Sequence, residues 1–163
     1  MSKYSLDLAF SSLTQPYQEG KPILALAYGF SELEDDGPWG EKGQETLTIE
    51  RNSKFRFTAF DTADPKSSQI ASIQVNFDEG DTPFKDPKLK GRRMANPLIV
   101  TDLESQQGQS AGCNVIGLYS ITPDYVVDDD IADNTQFNCT VTITTIHERE
   151  FVVDPEIQVE GGG

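Results

Sequence analysis

Carboxylates are the densest chemistry in this chain. Asp124, Asp128, Asp129, Asp130 and Asp133 fall within ten residues, and Glu32, Glu34, Asp35 and Asp36 make a second group. Calcium takes oxygen ligands from acidic loops, which makes the first group the metal candidate. Neither group has the D-x-[DN]-x-[DN]-G spacing with a twelfth-position Glu that an EF-hand requires. Solvated acidic loops are therefore the first reading and a calcium site the alternative; no other cofactor is expected. A glycosidase-like carboxylate pair could be drawn from the same residues, but its spacing is a matter of tertiary structure.

Nucleophilic catalysis needs a base. The single histidine, His147, sits beside Glu148 and Glu150 in a stretch that reads as a hairpin turn. A surface turn excludes water poorly and no nucleophile is near in sequence, so a catalytic role is not expected. Neither GxxxxGK nor GxGxxG occurs. The only tryptophan, Trp39, lies between Pro38 and Gly40 in a polar loop. It reads first as a lid on one end of the core and second as an exposed platform for a ligand such as a carbohydrate.

Positive charge is concentrated too. Lys85, Lys88, Lys90, Arg92 and Arg93 supply five of the 13 basic residues of a chain whose net charge is -14. Such a run either neutralises the chain's own acidic loops or docks on a neighbour's; the first is favoured. The net charge argues against nucleic acid and against anionic membranes. Cys113 and Cys139 are too few for a disulfide scaffold or a zinc site, and both fall on the inward phase of expected strands. They are expected as buried free thiols of one core. Asn138-Cys139-Thr140 fits a glycosylation pattern, which without a leader means only strand residues.

The elements that must position these groups are strands. Tyr4, Leu6, Leu8 and Phe10 alternate with Ser5, Asp7 and Ala9; Leu47 and Ile49 alternate with Thr46, Thr48 and Glu50; Phe55, Phe57 and Ala59 alternate with Arg56 and Thr58. Each pattern predicts one apolar and one wet face. Arg51-Asn52-Ser53-Lys54 between the last two reads as a tight hairpin connection. Pro22 to Phe30, Gln69 to Asp78, Asn96 to Leu103, Cys113 to Ile121, Gln136 to Ile146 and Glu150 to Val159 add further strands. Gly117 inside one of them predicts a bulge or a close backbone approach. Ser11 to Lys21, Ser31 to Gly43, Thr82 to Arg93 and Ser105 to Gly112 read as connections, the third a long basic loop broken by Pro83 and Pro87.

Eight or nine short strands with no convincing helix predict an antiparallel β-sandwich, with a β-barrel as the alternative. One domain over residues 1–160 is expected, with 161–163 as a flexible tail. No apolar run is long enough to span a bilayer, and the N-terminal stretch lacks the continuous apolar segment of a signal peptide. The expected compartment is the cytoplasm.

The polar-alternating opening, the strand carrying Phe55, Arg56 and Phe57, and the ending Val153-Asp154-Pro155-Glu156-Ile157-Gln158-Val159 together resemble the bacterial inclusion-body family typified by PixA and AidA. The resemblance implies a small, leaderless, cytoplasmic β-sandwich that can accumulate as inclusions, and supplies no catalytic residues. The functional expectation is a non-enzymatic protein acting through protein–protein contact or self-association. The alternative is a calcium- or carbohydrate-binding module using the acidic loops and Trp39.

Overall fold

The computed structural model describes residues 3–13, 23–24, 27–33, 46–67, 69–110 and 115–161. Within them the chain forms strands β1 (Lys3–Phe10), β2 (Ile23–Leu24), β3 (Ala27–Leu33), β4 (Thr46–Glu50), β5 (Lys54–Asp61), β6 (Ile70–Phe77) and β7 (Leu98–Val100). After these come β8 (Glu104–Ser110), β9 (Val115–Ile121), β10 (Tyr125–Val126), β11 (Thr135–Thr145), β12 (Glu150–Val153) and β13 (Glu156–Glu160). One sheet runs β3-β1-β5-β9-β8, with β10 also on β5. The other is built on the long strand β11, which carries β12 and β13 on one side and β6 on the other. The two sheets pack face to face as a β-sandwich, and neither closes into a barrel.

The sheets are mixed rather than purely antiparallel. β1 runs parallel to β5, β2 to β12 and β4 to β13. The expected hairpin between β4 and β5 is replaced by a crossing: β4 pairs β13 in one sheet, β5 pairs β1 in the other. The physical reason is the apolar face on each strand. Placed in opposite sheets, Ile49 on one side and Phe55, Phe57 and Ala59 on the other close on a single core, and all are fully buried. The crossing is pinned by backbone bonds. Asn52 N–H donates to Val127 O at 2.9 Å, Val127 N–H donates to Ser53 O at 2.9 Å, and Asn52 itself holds a φ of 63°. Asparagine tolerates that left-handed conformation better than most side chains.

Inside the sandwich the rings of Phe55, Phe57, Phe77, Phe84, Tyr125 and Phe137 form one connected group. Phe84 lies between Phe55, Phe57, Phe77 and Tyr125, with ring centroids 5.2–6.2 Å apart. Phe57 was expected to point inward and does, with no exposed surface. Cys139 is buried in the same core and is free, its thiol pushed up to about 12 by burial and by the nearby charges of Asp78, Asp154 and Glu79. Cys113 lies outside the described residues, as do Trp39 and Glu34 to Gly43 of the polar loop.

Three further readings are corrected by the structure. Ser31 to Leu33 belong to β3 rather than to a loop. The Gln/Ser/Gly stretch from Glu104 is an edge strand, β8, because β9 offers it a seven-residue antiparallel partner that composition does not register. The alternating polar face of β1 and β5 is not wet. Ser5, Asp7 and Thr58 are fully buried, and the Ser5 and Thr58 hydroxyls both donate to Asp7 Oδ1 at 2.6 Å. Farther along the same face Ala9, Phe60, Tyr119 and Ile121 make a second apolar cluster. The odd phase of β9 therefore serves that cluster, and not the main core that holds Cys139. The expected close approach at Gly117 is present: a Cβ there would meet Pro65 at 3.2 Å, and Leu118 N–H donates to Pro65 O.

Phe57→Ala should cost about 3–5 kcal/mol, the range for deleting a buried aromatic ring, and be read as a large drop in Tm. A Tm near that of the parent would mean that the aromatic group is not a packed core. In a Cys113→Ser background, Cys139 should resist thiol reagents at pH 8 until the protein is denatured. Labelling in native buffer at the rate of a free thiol would contradict its burial.

Candidate functional site

The basic run folds into a closed loop at one end of the sandwich. Phe84 anchors its base in the core, Lys85 N–H donates to Val126 O at 2.8 Å, and Met94 N–H donates to Phe84 O at 2.9 Å. Within it, Asp86 N–H donates to Arg92 O and Lys88 N–H to Asp86 Oδ1, each at 2.8 Å. Gly91 turns the chain with a φ of 78°. Beyond the loop, the Asn96 side chain acts as a piece of strand: its Oδ1 accepts from Phe77 N–H and its Nδ2 donates to Phe77 O, both at 2.9 Å. That sets the start of β7.

Between this loop, the end of β7 and β10 lies a cleft of about 530 Å³. Pro87, Met94, Ile99, Pro123 and Tyr125 give it apolar walls, and Lys85, Asp86, Asp102 and Asp124 supply its charge. Tyr125 is buried against Phe84, their rings stacked with centroids 5.2 Å apart, and burial raises its phenol above the ordinary value. Asp102, Pro123 and Asp124 also line a second cavity of about 430 Å³ that holds Lys3, Arg56, Glu104 and Gln106. A concave apolar site with a few polar groups is the usual form of a binding site.

The acidic run is dispersed, four of its five carboxylates each facing a different cation. Asp124 meets Lys3 at 3.2 Å, Asp128 meets Arg93 at 2.9 Å, Asp129 meets Lys85 at 3.5 Å, and Asp133 meets Arg51 at 2.8 Å. Asp130 contributes its carbonyl, which accepts from Arg93 Nη2 at 2.9 Å. Among the described residues no group of three or more His, Cys, Asp or Glu side chains converges as metal ligands would. Lys85 also donates to Asn52 Oδ1 at 2.7 Å, tying the loop to the sheet crossing.

Arg93 is the hub. Its guanidinium binds Asp128 through Nε and Asp81 through Nη1, a partner that the sequence did not single out. Burial alone would raise the Asp128 carboxyl, but the hydrogen bond and charge of Arg93, with the Asp130 N–H, hold it below the usual carboxylate range. Burial likewise works against the Arg93 charge and is outweighed by the two carboxylates, which raise its pKa. Lys88, Lys90 and Arg92 stand apart: all three are exposed, and no ion pair involves them among the described residues. The basic run is thus divided, its two ends neutralising the chain's own acids and its middle facing solvent.

His147 lies where expected, exposed in the turn between β11 and β12. It lines a cavity of about 500 Å³ with Ser12, Asp64 and Arg149. No hydrogen bond links His147 to Ser12 or Asp64 among the described residues, and the Asp64 carboxylate is taken by Gln69 Nε2 at 3.0 Å. An activated serine requires that linkage. Of the cleft residues, Ile99 had a legible signal, since it alternates with the inward Leu98 and Val100. Tyr125 and Met94 had none. The chain matches no protein-family model and no curated protein.

Arg93→Ala should lower stability at neutral pH by on the order of 1 kcal/mol, the upper end for partly exposed ion pairs. The Asp128 pKa is lower in the fold than in the unfolded chain. Its contribution is therefore present above the unfolded value of about 3.9 and lost as pH falls through the lower folded value. Melting curves of both proteins from neutral to strongly acidic pH should converge at the acid end. A gap that persists there would assign the loss to packing rather than charge.

Proposed function

We propose that this protein is a non-enzymatic bacterial β-sandwich that works by contact with another protein, and that the loop of residues 82–94 and its cleft are the contact surface. The single observation that carries this reading is the division of the basic run. Lys88, Lys90 and Arg92 are exposed beside Leu89, which is 52% exposed, while Ile99 on the adjoining cleft wall is 63% exposed. Exposed cations and apolar side chains together fit an acidic segment that also carries apolar residues. In a chain of net charge -14 they form a local basic patch, which favours encounter with acidic partners. The dispersal of the acidic run onto separate cations supports a partner role over a calcium role.

The same reading keeps the protein in the cytoplasm, as an inclusion-body-like protein with self-association as one form of the contact. A second copy of this acidic chain is one partner of the required charge.

The test uses a short synthetic peptide of alternating Glu and Leu, labelled for fluorescence anisotropy. It should bind the parent protein at low salt and release as ionic strength rises toward about 0.5 M, where screening lengths fall to a few ångströms. The variant Lys88→Glu/Lys90→Glu/Arg92→Glu should lose at least about tenfold in affinity, equal to about 1.4 kcal/mol. Arg93 is left intact because its substitution would disturb the loop itself. Absence of binding, or binding indifferent to the triple substitution, would reject this surface.

A further inference from the structure

The unpaired edge of β8 is a second surface, independent of the basic loop. β8 pairs with β9 along all seven of its residues, from Glu104 opposite Ile121 to Ser110 opposite Val115, and ends its sheet among the described residues. Glu104, Ser105, Gln106 and Gln107 are exposed. An open edge presents a row of backbone N–H and C=O groups to any strand that can approach. Proteins usually guard such edges with lysine, proline, bulges or brevity. β8 has neither lysine nor proline, and its register with β9 is unbroken. The other edges differ. β7 and β2 are three and two residues long, β4 at the far end of the second sheet has five residues against seven in β8, and β3, where its burial is described, is covered at Gly29 and half covered at Tyr28.

We infer that two copies of this chain pair through β8, antiparallel about a two-fold axis, joining their sheets into one. Charge selects the occupant and the register. A chain of net charge -14 repels its own copy over most of its surface, but β8 carries only Glu104. Centring the axis on Gln107 sets Glu104 against Ser110, Ser105 against Gln109 and Gln106 against Gly108, so no like charges meet. The two Gln107 side chains then face each other, and their amides can exchange hydrogen bonds. The contact is isologous, so it closes as a dimer and leaves the basic loop free on each copy.

Two variants test it, Ser105→Lys/Gln107→Lys/Gln109→Lys and its all-Glu counterpart. In the proposed register each sets three pairs of like charges directly opposite, which destabilises the ladder. By light scattering and sedimentation, the parent should dimerise with little dependence on salt, and each variant alone should weaken the dimer at least about tenfold, equal to about 1.4 kcal/mol. An equimolar mixture of the two variants should restore a heterodimer, an outcome that misfolded chains cannot give. If either triple variant unfolds, Gln107→Lys and Gln107→Glu are mixed in the same way. The Lys88→Glu/Lys90→Glu/Arg92→Glu protein should keep the dimer, which separates this surface from the peptide-binding one. A parent that stays monomeric at millimolar concentration, or a dimer that persists in both charge variants, overturns the inference.

Discussion

The passage of the chain from one sheet to the other at residues 51–53 is the constraint on which the rest of this structure depends. It puts Ile49 and Phe57 on opposite walls of one core. The backbone groups released by leaving the sheet are satisfied locally, by Val127 on one side and by Gly161, whose carbonyl accepts from Arg51 N–H. Buried backbone groups left without partners would cost more than such a crossing gains. The same few residues reach the surface chemistry: Arg51 Nη1 donates to Ile131 O and Asp133, while the Asn52 amide accepts from Lys85. Core, acidic run and basic loop are therefore mechanically one unit.

That coupling explains why the charged residues do not behave as their density in sequence implies. A cluster of aspartates concentrates negative potential only if the backbone turns them toward one point. Here residues 124–133 run along the rim of the sandwich, and successive carboxylates meet Lys3 on β1, Arg93 and Lys85 on the two ends of the basic loop, and Arg51 at the sheet crossing. Pairing at the rim is worth little per bond. It does fix the geometry of the loop that walls the cleft, and leaves the middle of the basic run as the part exposed to partners.

The polar face of the first sheet makes a similar point about burial. Ser5, Asp7 and Thr58 sit where alternation places solvent, yet they are enclosed and satisfied by one another. A buried carboxyl group is tolerated when hydroxyl donors stand in for water, as the two at Asp7 do.

What the sequence determined by itself was local. Period-two alternation, abundant turn residues and the lack of helical pattern were enough for an all-β sandwich, for the inward phase of Phe57 and Cys139, and for the β11–β12 hairpin at His147, because each depends on neighbours along the chain. Tertiary structure decided what depends on distant partners. The parallel pairing of β1 with β5, the promotion of a Gln/Ser/Gly stretch to the strand β8, the crossing in place of a hairpin, and the joining of Asp81 and Asp128 on Arg93 all bring together residues from different strands or loops. Alternation says that a side chain faces one way or the other; only the second layer of the fold says what it finds there.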